Sequence, residues 1–182
     1  MAEPEDEKSQ LETKLFVSDS SKYGDAYIEH LLEQYKTYIQ SIENISDRRQ
    51  KSNEFFVGLN TGLVTLLGFL ASETFFDNTG IVVSVSALAG ITFCYLWYRM
   101  VRSYQGLNSG KFEVVHTIEK RLPLALYDTE WEALGRGEDH KKYWPFTHIE
   151  KIVPWIFVAI YSVIILAKIP WNSVVGWLCN LI

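Results

Sequence analysis

The stretch NEFFVGLNTGLVTLLGFLA occupies residues 53–71. It opens polar, turns apolar at Phe55, and carries an amide and a hydroxyl, Asn60 and Thr61, inside its apolar run. Gly58 and Gly62 bracket that pair. No charge falls between 55 and 71. A helix crossing a bilayer needs about 20 such residues, with a range of roughly 17–25. The stretch therefore reads as a transmembrane helix, and the question it poses is what an amide does inside one.

Two further uncharged windows lie downstream, at 81–98 and 152–167. Neighbours lengthen the shorter ones: Asn53 and Glu54 for the first, Ile169 beyond Lys168 for the third. Charged residues fill the gaps, so the mean hydropathy of +0.00 hides two populations. The chain of 182 residues is enough for one compact domain. The expected fold is all-α: a multi-pass membrane protein with three transmembrane helices. The first apolar run sits behind a long acidic and helical leader, which is not the pattern of a signal peptide.

Lys and Arg near span ends set orientation. Arg48, Arg49 and Lys51 precede the first span, Arg99 and Arg102 follow the second, and Lys141, Lys142 and Lys151 precede the third. The 72–80 loop has no basic residue, and only Lys168 follows the third span. The bias places the N-terminus and the middle segment in the cytoplasm, and the short loop and C-terminus outside. The net charge of −5 does not oppose this, because acidic residues count for little in the rule. Arg48, Arg49, Lys51, Arg99 and Arg102 are also expected to touch anionic lipid.

Residues 1–21 are acidic and Ser-rich and are expected to be a disordered tail. Residues 22–52 read as a cytoplasmic amphipathic helix. Its stripe is Ile28, Leu31, Tyr35, Tyr38, Ile42 and Ile45, and the same spacing runs on through Phe56, Leu59, Leu63, Leu66 and Leu70. No Pro or Gly interrupts 25–57, so this helix should be continuous with the first span. Residues 53–101 form a two-span hairpin. A cytoplasmic helical segment follows at 102–147: a helix from Gly110, capped by Asn108 and Ser109 and ended by Pro123, then a short helix with Asp128 as N-cap and Gly135 past its end. Thr147 and Glu150 match a capping box that would start the third span, 148–169. The tail at 170–182 is too short to cross again. It reads as an outer interfacial helix anchored by Trp171 and Trp177.

Motifs that carry chemistry are scarce. The chain has no Walker loop, GxGxxG, GxSxG or HExxH pattern. Its four histidines make no metal-ligand spacing, and Cys94 and Cys179 make neither a disulfide framework nor a metal site. No catalytic residue, cofactor or metal is expected, and the protein is not expected to be an enzyme. The basic residues sit at span ends, so no nucleic-acid partner is implied.

Membrane helices associate through close packing and interhelical hydrogen bonds, often on small-xxx-small faces. Gly58 and Gly62 make such a face, with Thr65 near it. Asn60 lies off that face, since two residues turn a helix by about 200°. Ser86, Gly90 and Cys94 form a small-residue stripe on the second span. Gly58, Asn60, Thr61, Gly62, Ser86 and Gly90 are therefore the candidates for an oligomer interface or a pore. Two readings of Asn60 stay open: a hydrogen bond to a neighbouring helix, or a polar ring lining a wet path.

The run ISDRRQKSNEFFVGLNTGLVTLLG (45–68), with its double arginine, Asn, paired Phe and Leu-Asn-Thr, resembles the RipA family of octameric bacterial membrane proteins. The run from Trp97 to Phe157 is similar to a second block of that family. The resemblance implies a small multi-pass protein of the bacterial cytoplasmic (inner) membrane that self-associates into an octameric ring. It carries over Arg48, Arg49, Asn53, Phe55, Phe56, Asn60 and Thr61 as motif residues of unassigned role. The functional expectation is a homo-oligomer enclosing a pore or ion pathway. The alternatives are a non-conducting scaffold, or a stress or defence effector that permeabilises the membrane. The expected partners are the lipid bilayer, further copies of the chain, and a cytoplasmic partner whose identity stays open.

Overall fold

The computed structural model describes residues 4–18, 20–72, 79–137, 142–143 and 145–168. Every regular element among them is helical: α1 (Pro4–Leu15), α2 (Ser20–Tyr23), α3 (Tyr27–Ser72), α4 (Thr79–Glu119), α5 (Leu126–Ala133) and α6 (Phe146–Lys168), with a 3-10 turn at Gly135–Gly137. Helices α3, α4 and α6 are each long and apolar enough to cross a membrane. The chain divides into two compact units, Met1–Gln50 with Ser103–Phe146, and Lys51–Arg102 with Thr147–Ile182.

The second unit is a three-helix bundle. Its core is Leu67, Val83, Ala87, Cys94 and Tyr161, flanked by Leu63, Val64, Ile91, Phe157 and Val158. Within this unit the buried residues of α4 are Val83, Ala87, Gly90, Cys94, Trp97 and Val101. Their steps alternate four and three, the seam of two packed helices. On α3 the buried positions in this unit are Asn60 and Leu67, two turns apart. The heptad stripe read from the sequence placed Leu66 at the seam, but Leu66 is exposed and Leu67 is buried. A straight helix drifts about 20° per heptad, which moves a long seam by one position.

In the first unit, the early part of α3 packs on the late part of α4. Leu31, Ile42, Val115 and Ile118 are buried there. Lys111 donates to Ser41 Oγ at 2.8 Å and lies 4.3 Å above the Tyr38 ring. Glu119, at the end of α4, is buried and accepts three hydrogen bonds. They come from the Tyr35 hydroxyl (2.9 Å) and from the backbone amides of Tyr127 (3.0 Å) and Asp128 (3.1 Å). The carboxylate thereby caps the first turn of α5, where amides have no helical acceptor.

Several sequence expectations need correction. Residues 102–119 do not form a separate helix beginning at Gly110, since Asn108, Ser109 and Gly110 lie inside continuous α4. Capping residues act only where the backbone leaves helical angles, and burial of Val115 and Ile118 keeps it helical. Helix α5 starts after Ala125, so Asp128 sits in its first turn and is not its N-cap. Gly135 does follow the helix end, with φ +68°. Helix α6 begins at Phe146, before Thr147, and Glu150 bonds to Asn53 in place of the expected capping box. Within 1–21, where disorder is expected, Pro4–Leu15 is helical. Phe16 beyond it lies 3.4 Å beneath the Arg121 guanidinium, which gives the segment an apolar and cationic anchor. The 170–182 interfacial helix, with Trp171 and Trp177, lies outside the described residues.

Candidate functional site

The second unit contains two asparagine-centred contacts that join its three helices. Asn60 is fully buried, at 0% exposure. Its Oδ1 accepts the Tyr161 hydroxyl of α6 at 3.0 Å and the Cys94 thiol of α4 at 3.2 Å. Its Nδ2 donates to the Phe56 carbonyl one turn back at 2.8 Å. Both ends of the amide are thus engaged inside one chain. This spares the bundle the cost of an unmet polar group in an apolar setting.

Gly90 completes the arrangement. The Tyr161 ring lies against its Cα, and a Cβ there would stand 2.7 Å from Tyr161 Cε1. Glycine is therefore what allows the ring to lie flat on α4 with its hydroxyl at Asn60.

Two turns back along α3, Asn53 repeats the pattern. Its Oδ1 accepts the Trp97 indole N–H at 2.8 Å, and its Nδ2 donates to Glu150 Oε1 at 2.8 Å. Phe56 stacks on Trp97 with centroids 5.8 Å apart and planes 6° from parallel. Phe157 meets the same indole at 6.3 Å. The motif residues Asn53, Phe56 and Asn60 therefore share one structural role, since each ties α3 to α4 or α6.

The remaining candidates face outward. Gly58, Thr61 and Gly62 are exposed, and no atom stands within 4 Å of a Cβ built at either glycine. Thr65, also exposed, bonds the Thr61 carbonyl at 2.9 Å. Ser86 is half-buried. Asn60 and Gly90 are thus separated from the other interface candidates, because they are consumed within the chain. The 200° turn between Gly58 and Asn60 accounts for it: one side of α3 is buried and the other is bare. Of the basic candidates, Arg48, Lys51, Arg99 and Arg102 are exposed and Arg49 is half-buried. Among the described residues no group of three or more His, Cys, Asp or Glu could hold a metal ion.

Sequence reasoning did not single out Tyr161 or Trp97, and it singled out Glu150 only as a cap. The available signal was a polar tip within or beside an apolar run, which demands a partner.

No curated protein and no solved structure matches the chain. Residues 32–170 match a family model, and that match takes in Asn53, Asn60, Trp97, Glu150 and Tyr161. The chain belongs to the octameric membrane protein family (8xMP).

Proposed function

We propose that the protein is a non-enzymatic, ring-forming scaffold of the bacterial cytoplasmic membrane, with its N-terminus in the cytoplasm and its C-terminus outside. The observation that carries this reading is the burial of Asn60 within its own chain. The amide inside the apolar run is spent on Tyr161 and Cys94, and Asn53 at its start on Trp97 and Glu150, so no asparagine ring is left to line a water path. Copies of the chain meet through the bare Gly58–Gly62 side of α3, where backbones approach closely. Other hydroxyls of the spans turn back on their own helices: Ser84 to Gly80, Thr92 to Leu88 and Ser162 to Val158.

A pore is the second reading, and one observation favours it. Thr61 and Thr65 are exposed on a transmembrane helix, and Thr61 would present its hydroxyl if that side faced a central space, although Thr65 bonds back to the Thr61 carbonyl. The experiment is ion flux through liposomes holding the assembled protein. The scaffold predicts flux no greater than that of empty liposomes. Flux that falls in a Thr61→Val/Thr65→Val variant would establish the pore instead. Toxicity on overexpression would point to a membrane-permeabilising effector.

A further inference from the structure

Helices α4 and α6 run antiparallel in the second unit and touch through an aromatic pair. The rings of Tyr98 and Trp155 lie 5.7 Å apart at an interplanar angle of 65°. Both sit at the ends of the uncharged windows, Tyr98 closing the second and Trp155 near the start of the third. Trp155 is 57% exposed, and Trp at such a level marks the boundary between hydrocarbon and headgroups.

One turn further toward the polar end, each helix carries a cation. Arg102 follows Tyr98 by four residues, and Lys151 precedes Trp155 by four. Residues four apart share a helix face. Because the helices are antiparallel, both steps lead the same way from the ring contact. The two cations therefore flank one groove at one level.

Neither Arg102 nor Lys151 has an ion-pair or hydrogen-bond partner among the described residues. Helix α4 has no acidic residue before Glu113, and the one acid of α6, Glu150, is buried against Asn53. The two like charges are not paired with each other's helix, and the one acid of these two helices near them is the buried Glu150, next to Lys151. The wall below is aromatic and apolar.

We propose that this groove binds the phosphate of an anionic phospholipid, held between Arg102 and Lys151, with Trp155 at the glycerol level. A basic groove between spans on the cytoplasmic side suits such a headgroup. The site requires only that α4 and α6 cross the membrane, and it stands whether or not the assembly conducts.

The test is native mass spectrometry of the delipidated full-length protein, titrated with phosphatidylglycerol or phosphatidylcholine. Each Lys or Arg near an anionic surface contributes about fivefold in binding, so two should favour phosphatidylglycerol by roughly 25-fold. R102Q/K151Q should abolish the preference, K151Q alone should lower it about fivefold, and R102K/K151R should keep it. Lys36→Gln should leave it unchanged, since Lys36 is an exposed cation of the first unit and belongs to neither of these spans. Equal binding of the two lipids, retention of the preference in R102Q/K151Q, or an equal loss in Lys36→Gln would overturn the proposal. So would full displacement by inorganic phosphate, which would make it a site for soluble anions. If R102Q/K151Q fails to fold, K151Q and R102K/K151R carry the same decision.

Discussion

Asn60 and Tyr161 are 101 residues apart in sequence, and their side chains meet at 3.0 Å in the core of the transmembrane bundle. The hydroxyl of α6 donates to the amide oxygen of α3, and the Cys94 thiol of α4 donates to the same atom. One acceptor thus fixes the register of three helices. Interhelical hydrogen bonds in membranes average about 0.6 kcal/mol, with a maximum of about 1.7. The pair sets which faces meet more than it sets total stability.

Asn60→Leu and Tyr161→Phe should each lower the midpoint of thermal unfolding in detergent. Their double variant should lose less than the sum, with a coupling of about 0.5–1.7 kcal/mol. Strict additivity in this double-mutant cycle would mean the hydrogen bond is not formed.

Gly90→Ala should destabilise the subunit by about 1–3 kcal/mol, as overpacking does in a filled core. Its new methyl group would overlap the Tyr161 ring. Gly58→Ala places its methyl group in open space and should not destabilise the isolated subunit, since Ala favours a helix interior over Gly. The two midpoints, measured side by side, check that glycines of one type serve two purposes here.

Asn53→Ala should cost more than Glu150→Gln. The first strands the Trp97 indole N–H and removes the amide donor from the Glu150 carboxylate. The second preserves a carbonyl oxygen for Asn53 Nδ2. A buried donor left unmet costs about 1–3 kcal/mol. Chemical unfolding followed by Trp fluorescence reads both, and equal losses would contradict the proposed role of Asn53 as the bridge.

Alkali should weaken the first unit through Tyr35. Burial raises its pKa, and the hydrogen bond to Glu119 and the charge of Glu119 raise it further. The folded state then holds the phenolic proton to higher pH than the unfolded chain does. Its stabilising contribution is whole below the unfolded pKa of about 10 and is lost as pH rises from there through the folded value. Tyr35→Phe should flatten that alkaline loss, leaving the smaller part due to Tyr38, whose pKa burial also raises. An unchanged profile of helicity between neutral and strongly alkaline pH would count against it.

Much of this was readable from residues alone. Three uncharged windows and a stretch free of Pro and Gly at 25–57 announce α3 and the spans. The helical turn between Gly58 and Asn60 separates a bare side from a polar one without any structure. The continuity of α4 was hidden, because Asn108, Ser109 and Gly110 look like a helix start. Local propensity is a weak prior, and burial of Val115 and Ile118 overrode it. The partner of Asn60 was also hidden: periodicity gives the face of each helix, but not which residue of a helix 101 positions away meets it. Likewise nothing local marks Glu119 as the buried carboxylate and Glu113 as the exposed one.

The Asn60 side of α3 holds one chain together, and the proposed function assigns its bare Gly58–Gly62 side to contact between chains. The most direct test is the native mass and particle symmetry of Gly58→Leu/Gly62→Leu beside the unaltered protein. The expected result is a closed ring of many subunits for the unaltered protein and folded single subunits for the variant. An intact ring in the variant would place the contact between chains elsewhere and contradict this division.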